Sequence, residues 1–414
     1  MDLPARSESR TPRSQQELAE FVRAAHDAGT PVYTIGGGTS LNCGLPPKAK
    51  GIGLAVSKLD QIVDYPARDL TITVEAGITM RRLAETLAAE NQWLPVDTPQ
   101  ADRATLGGVL ATNWNGPRRF GNGPLRDFVI GLSAVDGAGT AFKAGGRVVK
   151  NVAGYDLCKL LTGSFGTLAV VTQVTLKVRP IAAASEFLFT RPRTWQDAER
   201  LLAALTESPL TPAAVELLVG PAWRDDDALR VDDHGWNGPA QCVLLVGLEG
   251  TSEEVAWMTE QLRHQWLDAG ADAHQVAAPH VSSLWQRLAE FPAADPAALV
   301  FKANVTPGDA AAFIATAVAA LGDNCSVQAH AGNGIVLMRV PEPPADIAKL
   351  TISVLQPAAA KAQGNLVVTA WPSGFDLTRQ MAWGGVRNDH AIMERVKSEF
   401  DPKGILNPGR FVYE

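Results

Sequence analysis

The hydrophobic pattern of the N-terminal half alternates between helical and strand spacing. Leu18 and Val22 lie on one face of a predicted helix that Ser14 and Glu17 begin as a capping box and Gly29 ends. Alternating or continuous apolar runs predict strands further along. The predicted elements are strands Val32–Ile35, Thr71–Glu75, Phe128–Val135 and Leu168–Val178, and a helix from about Thr79 to Glu90.

The second half has a different pattern, in which predicted strands and helices alternate along the chain. The predicted strands are Ala214–Val219, Val243–Leu248, Leu299–Ala303, Ser326–Gln328, Gly334–Val340 and Asn365–Ala370, and the predicted helices are Ser252–Trp266, Gly308–Leu321 and Ala345–Leu355. Two strand–helix–strand passes indicate a ferredoxin-like α+β domain with an antiparallel sheet. Pro180 and the alanines after it mark a boundary between domains at 1–180 and 181–414.

Length and composition agree with this division. The 414 residues exceed what one hydrophobic core usually holds, and 46% hydrophobic with 20% charged residues is typical of a globular protein. The net charge of −7 argues against a nucleic acid partner. With neither a transmembrane run nor a secretory signal in the sequence, we expect a cytoplasmic protein, or one held peripherally on the inner face of the membrane by a complex.

The cysteines exclude some kinds of chemistry. Cys43, Cys158, Cys242 and Cys325 are far apart in sequence and form no Cys-x-x-Cys motif. We therefore expect neither an iron–sulfur cluster nor a disulfide framework on this chain.

The first candidate motif is a triple glycine that follows a predicted strand, Gly36-Gly37-Gly38, and continues into Thr39 and Ser40. Residues without side chains let the backbone approach a ligand and turn its N–H groups towards it, which suits a pyrophosphate. For a triple glycine alone, a strand-ending turn is the simpler interpretation. The spacing fits neither a Walker A motif nor a Rossmann fingerprint.

A second glycine-rich stretch makes a dinucleotide more plausible than a simple turn. Gly107 to Thr112 carries small residues that we expect to form a backbone wall against a flat ring and its phosphates, with Asn113 near the ring edge. Arg118 or Arg119 would offset phosphate charge. The residues of this stretch assigned to the cofactor are Pro99, Thr105, Gly107, Gly108, Thr112, Asn113 and Gly116.

A third motif spans Gly145 to Asp156 and leads through Gly163 and Gly166 into an apolar strand. We expect the edge amides of this strand to meet one of the rings of the dinucleotide.

These motifs resemble a known family. TIGGGTSLNCG, TLGGVLATN and GGRVVKNVAGYDLCKLLTGSFGTL are similar to the vanillyl-alcohol-oxidase (PCMH-type) FAD-binding domain in its D-2-hydroxy-acid dehydrogenase branch, and above all to the FAD-binding E-type subunits of bacterial glycolate oxidase (glycolate dehydrogenase). The tail FDPKGILNPGRF is shared by this branch. The resemblance implies an α+β protein: a two-part PCMH-type FAD-binding domain, then a ferredoxin-like cap whose C-terminal segment returns to the FAD domain.

The resemblance also implies a cofactor and its contacts. The pyrophosphate loop would be Gly36 to Ser40, and the residues given above would wall the ring and ribityl chain. Further contacts would come from Gly166, Thr167, Leu168 and Val170. Covalent members of the family carry a histidine near Gly38; this chain has none there, so the FAD is expected to be non-covalent.

The cap departs from the catalytic pattern of the family. Catalytic relatives carry His-x-Gly-Asp-Gly-Asn-x-His, whose histidines help to hold a divalent metal beside the substrate hydroxyl. Here His330 remains, but Asn333 and Leu337 replace the aspartate and the second histidine, so we expect no metal. We interpret His330 as a hydrogen-bonded turn residue and His390 as a surface residue.

Three hypotheses follow. The first is an FAD-carrying subunit beside a catalytic D-type flavoprotein subunit and an F-type iron–sulfur subunit, with the small 2-hydroxy acid handled by the complex and no catalytic residue assigned here. The second is an autonomous FAD-dependent D-2-hydroxy-acid dehydrogenase that uses His330. The third is a flavin-free assembly subunit, against which the full set of loop glycines argues.

Overall fold

A computed structural model describes residues 6–146, 154–231 and 241–412 of the chain. The strands are β1 (Arg6–Arg10), β2 (Val32–Ile35), β3 (Gly51–Ala55), β4 (Ile62–Asp64), β5 (Thr71–Glu75), β6 (Gln92–Trp93), β7 (Val129–Asp136), β8 (Ala141–Gly145), β9 (Ala169–Lys177), β10 (Arg179–Pro180), β11 (Ala184–Thr190), β12 (Ala214–Val219), β13 (Cys242–Gly250), β14 (His274–Gln275), β15 (Leu299–Asn304), β16 (Ser326–His330), β17 (Ile335–Val340) and β18 (Asn365–Ala370). The α-helices are α1 (Gln15–Ala28), α2 (Met80–Ala88), α3 (Leu106–Thr112), α4 (Arg119–Asn122), α5 (Leu157–Leu161), α6 (Trp195–Glu207), α7 (Pro221–Arg224), α8 (Ser252–Asp268), α9 (Ala278–Glu290), α10 (Ala310–Leu321), α11 (Ile347–Leu350), α12 (Gln356–Lys361), α13 (Arg379–Trp383) and α14 (His390–Phe400).

The chain folds into two compact units. The first comprises Met1–Asn115, Pro124–Ile181 and Gly385–Glu414, and the second comprises Gly116–Gly123 and Ala182–Gly384. The change of unit at Ile181 lies next to the boundary that the sequence places after residue 180. Among the described helices, none is long and apolar enough to cross a membrane.

Among the described residues, the first unit contains two larger sheets, as expected for a two-part cofactor domain, and a two-stranded sheet in which β6 pairs with β10. Strands β1, β3 and β2 pair in parallel in that order, and the C-terminal segment continues this sheet because Leu406 bridges to Val32 in parallel. Strands β4, β5, β9, β7 and β8 form the second, antiparallel sheet in that order. One apolar core packs α1 against the first sheet, and another packs α2 and α3 against the second.

The second unit is a pair of ferredoxin-like halves. The first half runs β11, α6, β12, β13, α8 and β14, and the second runs β15, α10, β16, β17, α11–α12 and β18. All their strands join one antiparallel sheet in the order β14-β11-β13-β12-β16-β17-β15-β18. The halves therefore meet where β12 pairs with β16, with Glu216 directly opposite His330.

Local sequence explains most element ends. The Ser14 hydroxyl accepts from the Glu17 N–H, and Gly29 ends α1 in the left-handed region at φ 64°. The capping box is incomplete, because the Glu17 carboxylate accepts from the Arg13 N–H rather than from Ser14. The predicted strands Val32–Ile35, Thr71–Glu75, Ala214–Val219 and Asn365–Ala370 are confirmed at both ends.

Two stretches differ from the element prediction. No helix was predicted for the glycine-rich stretch from Thr105, but it forms α3, because Leu106, Val109 and Leu110 have the spacing to bury one helical face. The helix predicted over Ala345–Leu355 is short at first and then widens into a π-helical segment, Thr351–Leu355, before α12. Pro357, just inside α12, has no N–H with which to continue the preceding ladder.

Two leucines on α8 provide a test of the packing. Leu262 is fully buried, whereas Leu267 on the same helix is 55% exposed. Leu262→Ala should lower the free energy of unfolding by about 2–5 kcal/mol, because it leaves a cavity in the core of the second unit. Leu267→Ala should change it by no more than about 0.5 kcal/mol. Urea denaturation followed by circular dichroism measures both, and equal losses would contradict this packing.

Candidate cofactor site

A tight turn leaves the parallel sheet at the end of β2. Its glycines lie directly against the segment Arg103–Thr105: a Cβ on Gly36 would collide with the Thr105 hydroxyl, and one on Gly37 would collide with the Arg103 carbonyl oxygen. Gly38 adopts φ +72°, in the left-handed region. Gly36 and Gly37 are therefore required by close packing on one side of the turn, and Gly38 is favoured by its backbone conformation.

On the other side, the turn exposes its main-chain donors. In the described chain, no main-chain N–H from Gly36 to Ser40 donates a hydrogen bond to a protein acceptor. All five residues line a cavity of about 90 Å³. Consecutive unpaired N–H groups around a concave surface form an anion-binding nest, and a diphosphate would satisfy them.

A second cavity of about 70 Å³ adjoins the first. Its wall includes Leu161, Ser164, Ala169 and Val171. The two cavities are neighbours because they share wall residues, namely Thr34, Gly36, Gly108, Ala111, Phe165 and Asn407.

Thr34 bears directly on whether these cavities hold a ligand. Its hydroxyl oxygen is buried and has no hydrogen-bond partner, although Thr34 lines both cavities. A buried unpaired hydroxyl costs stability, and its free energy is recovered when a bound polar group supplies the missing partner. The residues present therefore fit a polar cofactor that extends across both cavities.

Helix α3 contributes shape rather than phosphate donors. The N–H groups of Leu106 and Gly107 donate to Ile78 and Ala76 carbonyls, and that of Gly108 donates to the Thr105 hydroxyl. These N–H groups are therefore used within the protein and cannot also donate to a phosphate. The small residues Gly107, Gly108, Ala111 and Thr112 instead form cavity wall.

The third motif forms the opposite wall. Phe165 and Gly166 both adopt left-handed backbone, at φ 56° and 62°, immediately before β9. Gly166, Val170 and Val171 line the smaller cavity. Residues 147–153 of this motif lie outside the described residues.

The structure brings together many of the residues assigned from sequence. The cavity walls contain Gly36, Gly37, Gly38, Thr39, Ser40, Gly107, Gly108, Thr112, Gly166 and Val170. The other assigned residues are not among those that line these two cavities in the described chain: Pro99, Thr105, Asn113, Gly116, Thr167 and Leu168. Direct contact of these residues with a cofactor stays a prediction.

The positions of five of these six residues explain why they do not line the cavities. Thr105 caps α3 behind the glycine turn, and Asn113 ends the same helix with φ 49°. Thr167 is fully buried, and its hydroxyl donates to the Ser164 carbonyl. Leu168 packs in the apolar core, and Gly116 belongs to the second unit.

Sequence reasoning assigned no role to two cavity residues in the C-terminal segment. Asn407 lines both cavities, and Arg410 lines the larger one. Burial lowers the pKa of the Arg410 guanidinium, while nearby Cys43 and Tyr33 act to raise it. The available signal was the tail motif itself, in which polar Asn407 follows the apolar pair Ile405-Leu406.

Arg118 does not serve as a free phosphate partner. It belongs to the second unit, where its guanidinium forms an ion pair with Glu249 at 2.8 Å and stacks 3.6 Å from the centre of the Trp285 ring. This correction follows from the short helix α4, which places Arg118 beside a buried carboxylate.

The second unit contains three buried polar side chains that contact one another. His330 Nδ1 lies 2.8 Å from Glu216 Oε1, and Gln328 Nε2 donates to the other Glu216 oxygen at 3.0 Å. All three residues are at most 1% exposed. His330 therefore ends a central strand, and the turn proper begins after it. Its Nε2 is buried without a partner.

The described residues around His330 do not provide a set of ligands for a metal ion. Leu337 is buried on β17 opposite Gln328, and Asn333 lies in the turn between β16 and β17. The described residues contain no group of three His, Cys, Asp or Glu that could hold a metal ion. His390, expected at the surface, is instead buried because it begins α14 folded against the Arg387 main chain.

The fold and the N–H-lined cavity define a protein that binds a large anionic cofactor. Comparison with protein families makes this specific: residues 9–145 match the FAD binding domain, and residues 181–366 and 374–411 match the C-terminal domain of FAD linked oxidases. The second match covers more than half of the chain. The chain belongs to the FAD-linked oxidases, a family of oxidoreductases with FAD as cofactor.

Curated relatives agree with this assignment. The chain is 33% identical over 253 residues to glycolate oxidase subunit GlcE of Escherichia coli (strain K12), which is 61% of this chain and 69% of that one. It is 29% identical over 247 residues to subunit GlcD of Bacillus subtilis (strain 168), covering 59% of this chain and 52% of that one. A D-lactate dehydrogenase of Archaeoglobus fulgidus is 30% identical, covering 61% and 56%. The match thus spans about half the length of the latter two proteins.

Solved structures show the same fold. A p-cresol methylhydroxylase with substrate bound superposes with a TM-score of 0.74 at 16% identity, over 99% of this chain and 90% of that one. An alkyldihydroxyacetonephosphate synthase gives 0.69 at 16% identity, over 97% and 76%. The PCMH-type FAD-binding domain and the α+β cap expected from the sequence are confirmed.

Thr34 provides a test of the site. Thr34→Val keeps the side-chain shape and removes the unpaired hydroxyl. We expect FAD to bind about 1 kcal/mol more weakly, roughly fivefold in Kd, if that hydroxyl bonds the cofactor. The flavin-free chain should be equally or more stable, because a buried unsatisfied group is removed. Fluorescence titration with FAD and thermal unfolding of the apo chain give the two values, and an unchanged Kd would place Thr34 outside the site.

Proposed function

We propose that this chain is the FAD-carrying subunit of a multi-subunit glycolate oxidase that oxidises glycolate or a related 2-hydroxy acid to the 2-oxo acid. The observation that carries the proposal is the cavity lined by the unpaired N–H groups of Gly36 to Ser40, with the orphaned Thr34 hydroxyl beside it. The similarity to GlcE, of which the match covers 69%, supports the choice of complex.

The second unit supports a division of labour between subunits, in which this chain carries FAD and a different subunit oxidises the substrate. His330 faces Glu216 rather than a second histidine, and the position that carries that histidine in catalytic relatives holds the buried Leu337. We therefore assign substrate oxidation to a catalytic D-type flavoprotein subunit. This follows the pattern of a complex with separately named GlcD and GlcE subunits.

An iron–sulfur subunit of the F type completes the proposed complex. FAD supplies the chemistry of accepting two electrons together and releasing them one at a time. In this chain none of the four cysteines forms a disulfide, and all four are buried. Burial raises the pKa of the Cys158 thiol to about 11 and those of Cys242 and Cys325 to about 12. Such thiols are poor cluster ligands, so single electrons would leave to a partner.

The role of this chain's own residues is to hold the cofactor non-covalently. The glycine turn would bind the diphosphate, α3 would present its small residues to the flavin, and the Thr34 hydroxyl would fix one polar group. We propose a cytoplasmic location, or a peripheral one on the inner face of the membrane through the complex.

One observation favours a second candidate, an autonomous D-2-hydroxy-acid dehydrogenase. The Glu216 carboxylate holds His330 by Nδ1, which leaves Nε2 buried and unpartnered. A histidine oriented in this way by a carboxylate can act as a general base. The same contact also satisfies a buried carboxylate, which needs no catalytic role to explain it.

Purification of the isolated chain tests the main proposal. Its absorbance spectrum should show oxidised flavin bands near about 450 nm, as expected for bound FAD. It should fail to reduce an artificial electron acceptor with glycolate or D-lactate, and it should co-purify with D-type and F-type partners when these are co-expressed. Turnover by the chain alone would refute the division of labour, and a colourless chain that takes up no FAD would support the flavin-free hypothesis.

His330→Asn separates the two enzymatic candidates. Asparagine can keep a donor near Glu216 while it removes the ring nitrogen Nε2, so the buried carboxylate stays paired. If the partner subunit oxidises the substrate, the turnover of the assembled complex should remain within about twofold of the parent. If His330 is a general base, turnover should fall by about 100-fold or more with little change in thermal midpoint. Steady-state kinetics on the complex decides between them.

A further inference from the structure

The C-terminal segment contacts two walls of the cofactor cavities, the glycine turn with its flanks and the turn before β9, through Asn407 and Arg410. It pairs with the edge of β2, since the Val32 N–H donates to the Ile405 carbonyl at 2.7 Å and the Asn407 N–H donates to the Val32 carbonyl at 2.8 Å. This pairing carries Asn407 to the end of β2, where the glycine turn begins.

Asn407 connects two loops that are more than 100 residues apart in sequence. Its side-chain oxygen accepts from the Thr34 N–H at 3.1 Å, on the strand that leads into the glycine turn. Its amide nitrogen donates to the carbonyls of Phe165 at 2.8 Å and Gly166 at 3.1 Å, in the turn before β9. Asn407 itself adopts left-handed backbone at φ 46° and lines both cavities.

Arg410 fixes the other end of the glycine turn. Its guanidinium donates to the carbonyls of Leu41 at 2.6 Å, Cys43 at 2.7 Å and Leu45 at 2.9 Å. Arg410 is 8% exposed, and among the described residues its hydrogen-bond partners are these carbonyls and no carboxylate. A buried positive charge without a counter-charge therefore stands in the wall of the cavity that the free N–H groups surround, which suits an anionic ligand.

Lys397 and Asp401 hold the C-terminal segment in place on the N-terminal side of Asn407. Lys397 Nζ donates to Asp401 at 2.6 Å and to the carbonyls of Thr167 at 2.7 Å and Leu406 at 3.0 Å. Asp401 also accepts from the N–H groups of Ile405 and Leu406. The segment is thus held rigidly before it reaches the cavities.

We propose that Asn407 and Arg410 are positioning residues for FAD: together they hold the glycine turn and the Phe165–Gly166 turn at the spacing that binds the cofactor. The inference rests on the proposed FAD-carrying role. It follows that the FAD site is complete only when the last residues of the chain are in place, although the glycine motifs lie in the first 166.

Two variants with a matched control test this inference on the full-length chain. Asn407→Gly keeps the left-handed backbone available and removes all three side-chain hydrogen bonds. Arg410→Lys keeps the charge, but a single ammonium group cannot reproduce the guanidinium's fixed fork to three carbonyls. Lys403→Ala is the control, because Lys403 is exposed in the same segment and donates to the His26 carbonyl, away from both cavities.

The readout is the rate at which FAD is released after dilution, followed by the rise of flavin fluorescence, with the thermal midpoint of each apo chain as a check on folding. Asn407→Gly and Arg410→Lys should release FAD roughly tenfold faster or more, whereas Lys403→Ala should stay within about twofold of the parent.

The outcomes separate this inference from the proposed function. Release from both variants at the parental rate overturns the positioning role and leaves the FAD-carrying role intact. A parent chain that holds no FAD overturns both. Should Asn407→Gly fail to fold, Asn407→Asp replaces it: it keeps an acceptor for Thr34 and loses the two donations, and parental release from it and from Arg410→Lys refutes the inference.

Discussion

The close approach of the Gly36–Gly37 backbone to the Arg103–Thr105 segment is the constraint on which the cofactor site depends. Side chains at these two glycines would collide with the Thr105 hydroxyl and the Arg103 carbonyl, so the turn can lie flat only without them. In the described chain none of the N–H groups from Gly36 to Ser40 donates to a protein acceptor, and all five residues line the larger cavity. A row of unpaired N–H donors costs free energy unless a ligand accepts hydrogen bonds from them. A diphosphate has the negative charge and the acceptor oxygens to do so.

The remaining walls follow from how the chain returns to this turn. Helix α3 is capped by Thr105, directly behind the turn, and its first two N–H groups donate to the carbonyls of Ile78 and Ala76. This fixes the helix so that its glycines and alanine form a smooth wall. The C-terminal segment then adds the Asn407 amide and the Arg410 guanidinium, so segments far apart in sequence make one pair of adjoining cavities. Buried polar groups such as Asn407 and Arg410 are tolerated there because each is satisfied by main-chain partners.

The sequence predicted the architecture better than the site. Strands such as β5 and β12 carry their own apolar pattern, and the ferredoxin-like passes could be read from the order of elements. Helix α3 was missed because its glycines resemble a loop, while the three apolar residues that bury its face are few. Asn407 and Arg410 could not be assigned from local patterns, since their roles arise from partners such as Thr34 and Leu41, more than 360 residues earlier. Tertiary proximity of this kind has no signature in periodicity or spacing.

The position of His330 at the seam of the second unit explains why it can persist without a metal. Glu216 lies directly opposite it where the two ferredoxin-like halves join. A carboxylate buried in the middle of a sheet destabilises the fold unless hydrogen-bond donors pair with it. His330 and Gln328 supply such donors from β16. Neither Asn333 nor Leu337 is needed for that task, whereas a residue at position 330 that offers no donor would leave Glu216 with Gln328 alone of these two partners. The pairing with Glu216 is by itself a sufficient structural reason for a buried histidine at the end of β16.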